Sequence, residues 1–150
     1  MQQALVDLLK VQKQDGGFFV TLPDAFKTPK TLNHWCHGAP GAIAPLLASA
    51  QLFVKLAESG DEQTLAFARK LHTAAMKSAE LTWTQGIVLK GNGLCHGISG
   101  NGLLLHSVAR WHSALSQDQI AMLGLQKEHV AETVSKFRKR ALMFGRALSL

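Results

Sequence analysis

Apolar residues recur at three- and four-residue spacings along most of the chain, the period of an α-helix with one buried face. Residues 42–57 show this period most clearly, with apolar positions at Ile43, Leu46, Leu47, Ala50, Val54 and Ala57. The pattern predicts a helix over 42–57 that stops at Gly60. Pro40 suits a first helical turn, whereas Pro45 lies deeper and predicts a kink or a later helix start.

Further segments follow the same period. Asp61 can cap a second helix that runs to about Trp83, because aspartate accepts hydrogen bonds from the free N–H groups of a first turn. Residues 86–97 are rich in glycine and predict a loop, after which helices are expected over 103–115 and 127–148. Only residues 18–22 resemble a strand, and they are too few to indicate a sheet. The predicted fold class is all-α.

Composition agrees with a chain that can bury a core, since 47% of its 150 residues are hydrophobic and 17% are charged. The first residues lack the basic start and cleavage site of a secretory signal, and no uninterrupted apolar stretch approaches the ~20 residues of a membrane span. These features predict a cytoplasmic protein.

The net charge of +6 is concentrated near the C-terminus. After the last acidic residue, Glu132, the basic residues are Lys136, Arg138, Lys139, Arg140 and Arg146. On a helix such a run indicates a solvated basic face. We therefore expect no nucleic-acid partner, although peripheral contact with an anionic membrane stays open.

One phrase occurs twice, as HWCHGAPG at residues 34–41 and as GLCHGISG at residues 93–100. Aligning 36–50 with 95–109 superposes Cys, His, Gly and a second Gly, followed by an apolar helical run. Each unit is then a glycine-rich loop, a helix and a returning helix, so the chain holds helical-hairpin repeats at about 34–84 and 93–148. Because repeats bury their apolar faces against neighbours, we expect these units to belong to a larger array whose next repeat is cut off at Leu150.

The repeated cysteines have the chemistry of a metal site. Each lies where a loop meets a helix N-terminus, whose partial positive charge favours the thiolate. Equivalent positions in adjacent repeats lie side by side, and two thiolates repel unless a cation such as zinc separates them. His96 or His37 can supply a third ligand. Two alternatives remain at this point: buried unliganded thiols, and a closed structural site of Cys36, His37, Cys95 and His96.

HWCHGAPG together with KGNGLCHGISGNG resembles the lanthionine synthetase C-like (LanC-like) family, over about residues 10–115. The resemblance implies an α/α toroid of two nested helical rings, of which residues 1–150 form an incomplete C-terminal part. It also implies zinc ligands Cys36, Cys95 and His96, with the fourth position open. Bacterial cyclases usually carry tyrosine where this chain has His37, so the resemblance is to eukaryote-type members.

By the same resemblance, the full-length protein activates a thiol, glutathione above all, for addition to dehydroalanine or dehydrobutyrine residues in proteins or peptides. His37 is a candidate acid for the α-carbon, and Lys90 resembles a family lysine near the thiol substrate, although either can be an ordinary loop residue. The part held by this chain is expected to be inactive alone.

Other functions stay open. The chain could be a lanthionine-forming peptide cyclase, a non-catalytic adaptor that binds zinc and glutathione, or a truncated product whose exposed apolar faces make it poorly soluble. Near the first cysteine, Trp35 is expected to pack and His34 to be a loop residue or a support for a ligand. The remaining histidines, His72, His106, His112 and His129, are expected on the surface or as satisfied interior groups.

Overall fold

A computed structural model describes residues 2–18, 32–57 and 61–147, and within these ranges the chain is helical with no strand. The helices are α1 Gln2–Lys10, α2 Ala39–Leu56, α3 Glu62–Gln85, α4 Ile98–Ser113, α5 Gln117–Met122 and α6 Lys127–Arg146. A single antiparallel bridge joins Gln12 to Phe18. The rest of the strand candidate at 18–22 lies outside the described residues. The all-α prediction is confirmed.

Helix α2 begins at Ala39 and runs without interruption through Pro45, so the prediction of a later start is wrong. Pro40 lies in its first turn, as expected. Pro45 faces solvent, whereas the apolar face on either side, including Ile43 and Leu46, is buried. Burial of this face offsets the hydrogen bond that a proline removes from a helix interior. The stop expected at Gly60 lies outside the described residues.

The other predicted helices are present with shifted ends. Asp61 caps α3 by accepting a hydrogen bond from the Gln63 N–H at 3.0 Å, as predicted. Helix α4 begins at Ile98, five residues before the expected start, and α6 ends at Arg146. Two short helices were not predicted. One of them, α5, begins with a capping box in which the side chains of Ser116 and Gln119 each accept a backbone N–H.

Two helical hairpins build the core, as the repeat predicts. Helix α2 packs most extensively with α3, and α4 with α6, while α2 and α3 also touch α4. Their buried faces form one cluster that includes Leu47, Leu71, Leu105, Val108, Phe137 and Phe144. Helix α1 adds a half-buried apolar face, and the Gln12 side chain after it donates to the Ala74 carbonyl on α3 at 2.9 Å.

Part of the basic C-terminal helix is not a solvated face. Lys136 and Arg140 both pair with Glu80 of α3, at 2.7 and 2.8 Å. Burial acts to raise the pKa of Glu80, but the hydrogen bonds from these two cations hold it below its ordinary value. The Arg140 guanidinium also lies over the Trp83 ring, 4.9 Å from its centroid. These contacts fasten α6 to α3. Arg140 is half-buried, whereas Lys136, Arg138 and Lys139 are exposed.

Among the helices of the described ranges, α2 is the one long and apolar enough to cross a membrane by length and composition. Core helices meet the same criterion, and the apolar face of α2 is buried against its neighbours. Its composition is therefore explained by its place in the core.

Helices α4 and α6 line an open apolar groove of about 560 Å³. Its walls include Leu103 and His106 on α4 and Leu142 on α6, all of which are exposed. In the repeat alignment His106 corresponds to Leu47 of α2, which is buried. At this position the second repeat therefore exposes a side chain where the first repeat buries one.

A buried histidine pair joins α3 to α4. The Nε2 atoms of His72 and His112 lie 3.0 Å apart, and Nδ1 of His112 lies 2.9 Å from the Val108 carbonyl oxygen. Burial lowers the pKa of both rings, and with the nearby His112 as a second cause it brings that of His72 to about 4, which favours two neutral rings. Because a carbonyl only accepts, a neutral His112 donates from Nδ1 and accepts at Nε2, so His72 donates from its Nε2.

This pair predicts a loss of stability in acid. The unfolded chain takes up a proton at His72 near pH 6.5 and the folded chain only near pH 4, so stability falls as the pH drops through this window. By pH 4 the unequal protonation of His72 in the folded and unfolded chains lowers the unfolding free energy by about 3 kcal/mol. Urea unfolding of chelator-treated protein should show this slope, and His72→Gln should flatten it. The exposed His106→Gln is the control; equal slopes in parent and His72→Gln would contradict the assignment.

Candidate metal centre

The two cysteine loops occupy equivalent places and touch each other. Cys36 lies three residues before the start of α2 and Cys95 three residues before the start of α4, with Gly38 and Gly97 at the respective N-caps. The Cys36 N–H donates to the Cys95 carbonyl at 3.4 Å. The juxtaposition that the duplicated phrase predicts is therefore present.

The second glycine of each phrase makes room for a backbone carbonyl. A Cβ on Gly41 would lie 2.0 Å from the carbonyl oxygen of Trp35, and one on Gly100 would lie 1.8 Å from that of Leu94. Both carbonyls belong to the residue just before a cysteine. The glycines thus let each cysteine loop fold onto the first turn of its own helix.

Two of the predicted donors, Cys36 and His96, are in contact. The third, Cys95, interacts with Cys36 but lies outside the group of donors that share a 4.8 Å limit in the described ranges. The Cys36 sulfur lies 3.2 Å from Nδ1 of His96. Interaction with the Cys36 side chain raises the pKa of the Cys95 thiol, followed by a smaller effect of burial. The direction is opposite to the Cys95 thiolate that its place before a helix N-terminus predicted. Two adjacent sulfurs that disfavour ionisation together are a pair that a cation would stabilise.

His34 is a donor that sequence reasoning placed only in the loop or behind a ligand. One of its ring nitrogens, the Cys36 sulfur and a His96 ring nitrogen all lie within 4.8 Å of one another. Burial, then the charge of Lys90, lowers the pKa of His34 and favours the neutral imidazole. The only sequence signal was its position two residues before Cys36 in a non-helical segment.

His37 and Lys90 lie at the margin of this cluster. His37 is exposed, and its carbonyl accepts the His34 N–H at 2.9 Å, which closes a turn around the first cysteine. Its ring is not in the group of donors that share the 4.8 Å limit within the described ranges. The charge of Lys90 acts on His34 from the opposite loop. Trp35 is 52% exposed, so the expectation that it packs is wrong.

A buried asparagine positions both loops. The Asn101 side chain, on α4, donates to the Asn33 carbonyl and to the Gly86 carbonyl, each at 2.8 Å. Asn33 in turn donates from its side chain to Gln85 at 3.0 Å. Because Asn33 adjoins His34, these bonds tie the first metal loop to the end of α3 and the start of the second loop.

The donors suit zinc. Two thiol sulfurs and imidazole nitrogens form a ligand set that zinc prefers, and the cysteines and His96 are exposed, so an ion and a further ligand can reach them. The residues present thus fit a zinc ion held by Cys36, Cys95 and His96, with His34 beside them.

The chain is similar to known proteins over most of its length. A family model described as lanthionine synthetase C-like protein matches residues 1–126. Among curated proteins, glutathione S-transferase LANCL1 of Danio rerio is 39% identical over 70 residues. That alignment covers 47% of this chain and 14% of the relative, so the chain spans a small part of that protein's length. Helix α6 lies beyond the matched residues.

Proposed function

The chain belongs to the lanthionine synthetase C-like family, and from this premise we propose that it serves zinc-dependent activation of a thiol for addition to dehydroalanine or dehydrobutyrine residues. Glutathione is the proposed thiol, since the relative from Danio rerio is named a glutathione S-transferase. The observation that carries the proposal is the convergence of the two cysteine loops, with Cys36 and His96 in contact.

In this proposal Cys36, Cys95 and His96 hold the zinc ion. Bound zinc acts as a Lewis acid that lowers the pKa of a thiol, so that a thiolate exists at neutral pH. The exposed side of the cluster leaves room for that thiol to approach. Lys90, whose charge already reaches His34, is placed to attract a carboxylate of glutathione.

The addition requires an acid as well as a nucleophile. A C–S bond forms at the β-carbon of the dehydroamino acid, the electrons of the C=C bond move toward the carbonyl, and the α-carbon then takes up a proton. We assign that proton to His37, which is exposed beside Cys36 and outside the donor group. The product is a thioether.

Two other functions use the same cluster. A lanthionine-forming cyclase would add a cysteine of the substrate peptide itself rather than glutathione. A non-catalytic adaptor would bind zinc and glutathione without turnover. We further propose that residues 1–150 form part of one α/α toroid domain and act in the cytoplasm.

The test uses the zinc-loaded full-length protein, because the part held by this chain is expected to be inactive alone. It is incubated with glutathione and a dehydroalanine peptide, and the products are identified by mass spectrometry. We expect a glutathione adduct above the uncatalysed background, and loss of that excess in Cys36→Ala. His37→Ala should retain zinc but react about 100-fold more slowly, a typical contribution of a general acid. Zinc and glutathione binding without any excess product would favour the adaptor. Thioether formation only in peptides that carry their own cysteine would favour the cyclase.

A further inference from the structure

We propose that Cys36 and Cys95 are a reversible oxidation site, which a small disulfide such as glutathione disulfide converts to one intramolecular disulfide when zinc is not bound. They are the two cysteines of the sequence, and both are free and exposed. The inference goes beyond the proposed function and does not depend on it, because it requires two neighbouring thiols and an oxidant but no thiol addition.

The backbone spacing of the two cysteines carries the proposal. The Cys36 N–H donates to the Cys95 carbonyl at 3.4 Å. Residues whose backbones pair in this way in a sheet have Cα atoms about 4.5–5.5 Å apart, and disulfides join residues whose Cα atoms lie about 4.4–6.8 Å apart. The Cys95 side chain also interacts with that of Cys36 through a hydrogen bond. Rotation of the two side chains is therefore sufficient to bring the sulfurs to bonding distance.

Contacts within the protein maintain this spacing. Gly41 and Gly100 each admit the carbonyl that precedes a cysteine, which seats both cysteine loops on the first turns of their helices. The Asn101 side chain donates to the Asn33 carbonyl at 2.8 Å, and this bond ties the first cysteine loop to α4. These contacts do not involve a cysteine sulfur. The two thiols therefore stay neighbours when zinc leaves the site.

Two steps of thiol–disulfide exchange complete the oxidation. The sulfur of one cysteine attacks a sulfur of glutathione disulfide, whose S–S bond breaks, so that a mixed disulfide forms and one glutathione leaves. The second cysteine then attacks the protein sulfur of the mixed disulfide, and the second glutathione leaves. The proton of each cysteine ends on a departing glutathione. Two cysteines are thus oxidised and one glutathione disulfide is reduced, with no further reactant.

Zinc and the oxidant compete for the same sulfurs. Zinc binds cysteine as the thiolate, whereas both sulfurs of a disulfide are uncharged. Oxidation therefore removes two of the three proposed ligands, and His96 alone does not hold the ion. Reduction by excess thiol restores both cysteines and with them the site. Disulfides of this reversible kind are the ones that cytosolic proteins ordinarily use.

A peptide map tests the proposal directly. The chelator-treated full-length protein is incubated with glutathione disulfide, alkylated and digested with trypsin without reduction; Cys36 then lies in peptide 31–55 and Cys95 in peptide 91–110. We expect mass spectrometry to find these two peptides linked by a disulfide, and zinc binding to be lost until dithiothreitol is added. Two separate glutathione adducts, two unmodified thiols, or full zinc binding by the linked form would overturn the inference.

A single-cysteine variant and the zinc-loaded protein give second measurements. Cys95→Ser should accumulate a mixed disulfide with glutathione on peptide 31–55, because no second thiol displaces it, whereas the parent protein should not. With about nine-tenths of the sites loaded with zinc, linkage should be about tenfold slower, since only the metal-free fraction reacts. Equal linkage rates with and without zinc would overturn the inference. Linked peptides in a protein that forms no thioether would support it and contradict the proposed function.

Discussion

Replacing Cys36 with alanine is expected to abolish stoichiometric zinc binding by the purified chain. Structural zinc sites bind with about 10–16 kcal/mol over four ligands, so one ligand accounts for roughly 3 kcal/mol, or at least about 100-fold in affinity. We expect a large loss of zinc affinity at Cys36, because its sulfur contacts His96 and interacts with Cys95. Zinc content is measured by metal analysis, and affinity by competition with a chelator.

The matching variants separate the two ligand sets that the sequence left open. Cys95→Ala and His96→Ala should lose zinc like Cys36→Ala, whereas His37→Ala should keep it. Loss in all four would favour the closed structural site of Cys36, His37, Cys95 and His96. Retention of full zinc affinity in Cys36→Ala would remove the basis of the proposed function.

The long helices could be predicted because their apolar faces repeat over many turns. Helix α2 shows the limit of such reasoning, since local chemistry at Pro45 argued for a late start. Burial of Ile43 and Leu46 on either side outweighs one missing hydrogen bond, and that balance depends on partners from other helices. The short helices α1 and α5 have too few turns for a clear period.

The metal site was predictable where it was duplicated. Cys36 and Cys95 could be paired because the same phrase surrounds both, and equal positions in stacked repeats lie side by side. His34 has no counterpart of this kind, since the equivalent position in the second repeat is Gly93. That its ring approaches the site is seen only from the distances to Cys36 and His96 in the folded chain.

Support for the site comes from groups that sequence patterns do not mark. Asn101 lies in a helix, where asparagine ordinarily has no special meaning, yet its side chain holds the carbonyls of Asn33 and Gly86. The second glycine of the repeated phrase, Gly41 or Gly100, admits the carbonyl that precedes each cysteine. Contacts between a loop and a helix turn thus set the donor geometry.

The close approach of the Leu94 carbonyl to Gly100 predicts a large effect of Gly100→Ala. The new methyl group would lie 1.8 Å from the Leu94 carbonyl oxygen, which is backbone and cannot rotate away. Leu94 must therefore move, and with it Cys95. Such overpacking typically costs about 1–3 kcal/mol, more than the ~1 kcal/mol that alanine gains over glycine in a helix. We expect lower unfolding free energy and weaker zinc binding together.

Gly145→Ala is the matched control, because the same methyl group added near the end of α6 meets no atom within 4 Å. It should stabilise the chain by about 0.5–1 kcal/mol through helix propensity and leave zinc affinity unchanged. Urea unfolding and chelator competition on both variants measure the two effects. If Gly100→Ala behaved like Gly145→Ala in both assays, the second cysteine loop could not lie against the first turn of α4. If Gly100→Ala lowers the unfolding free energy and weakens zinc binding while Gly145→Ala raises the unfolding free energy alone, the contact between Gly100 and the Leu94 carbonyl supports both the fold of the loop and its binding of zinc.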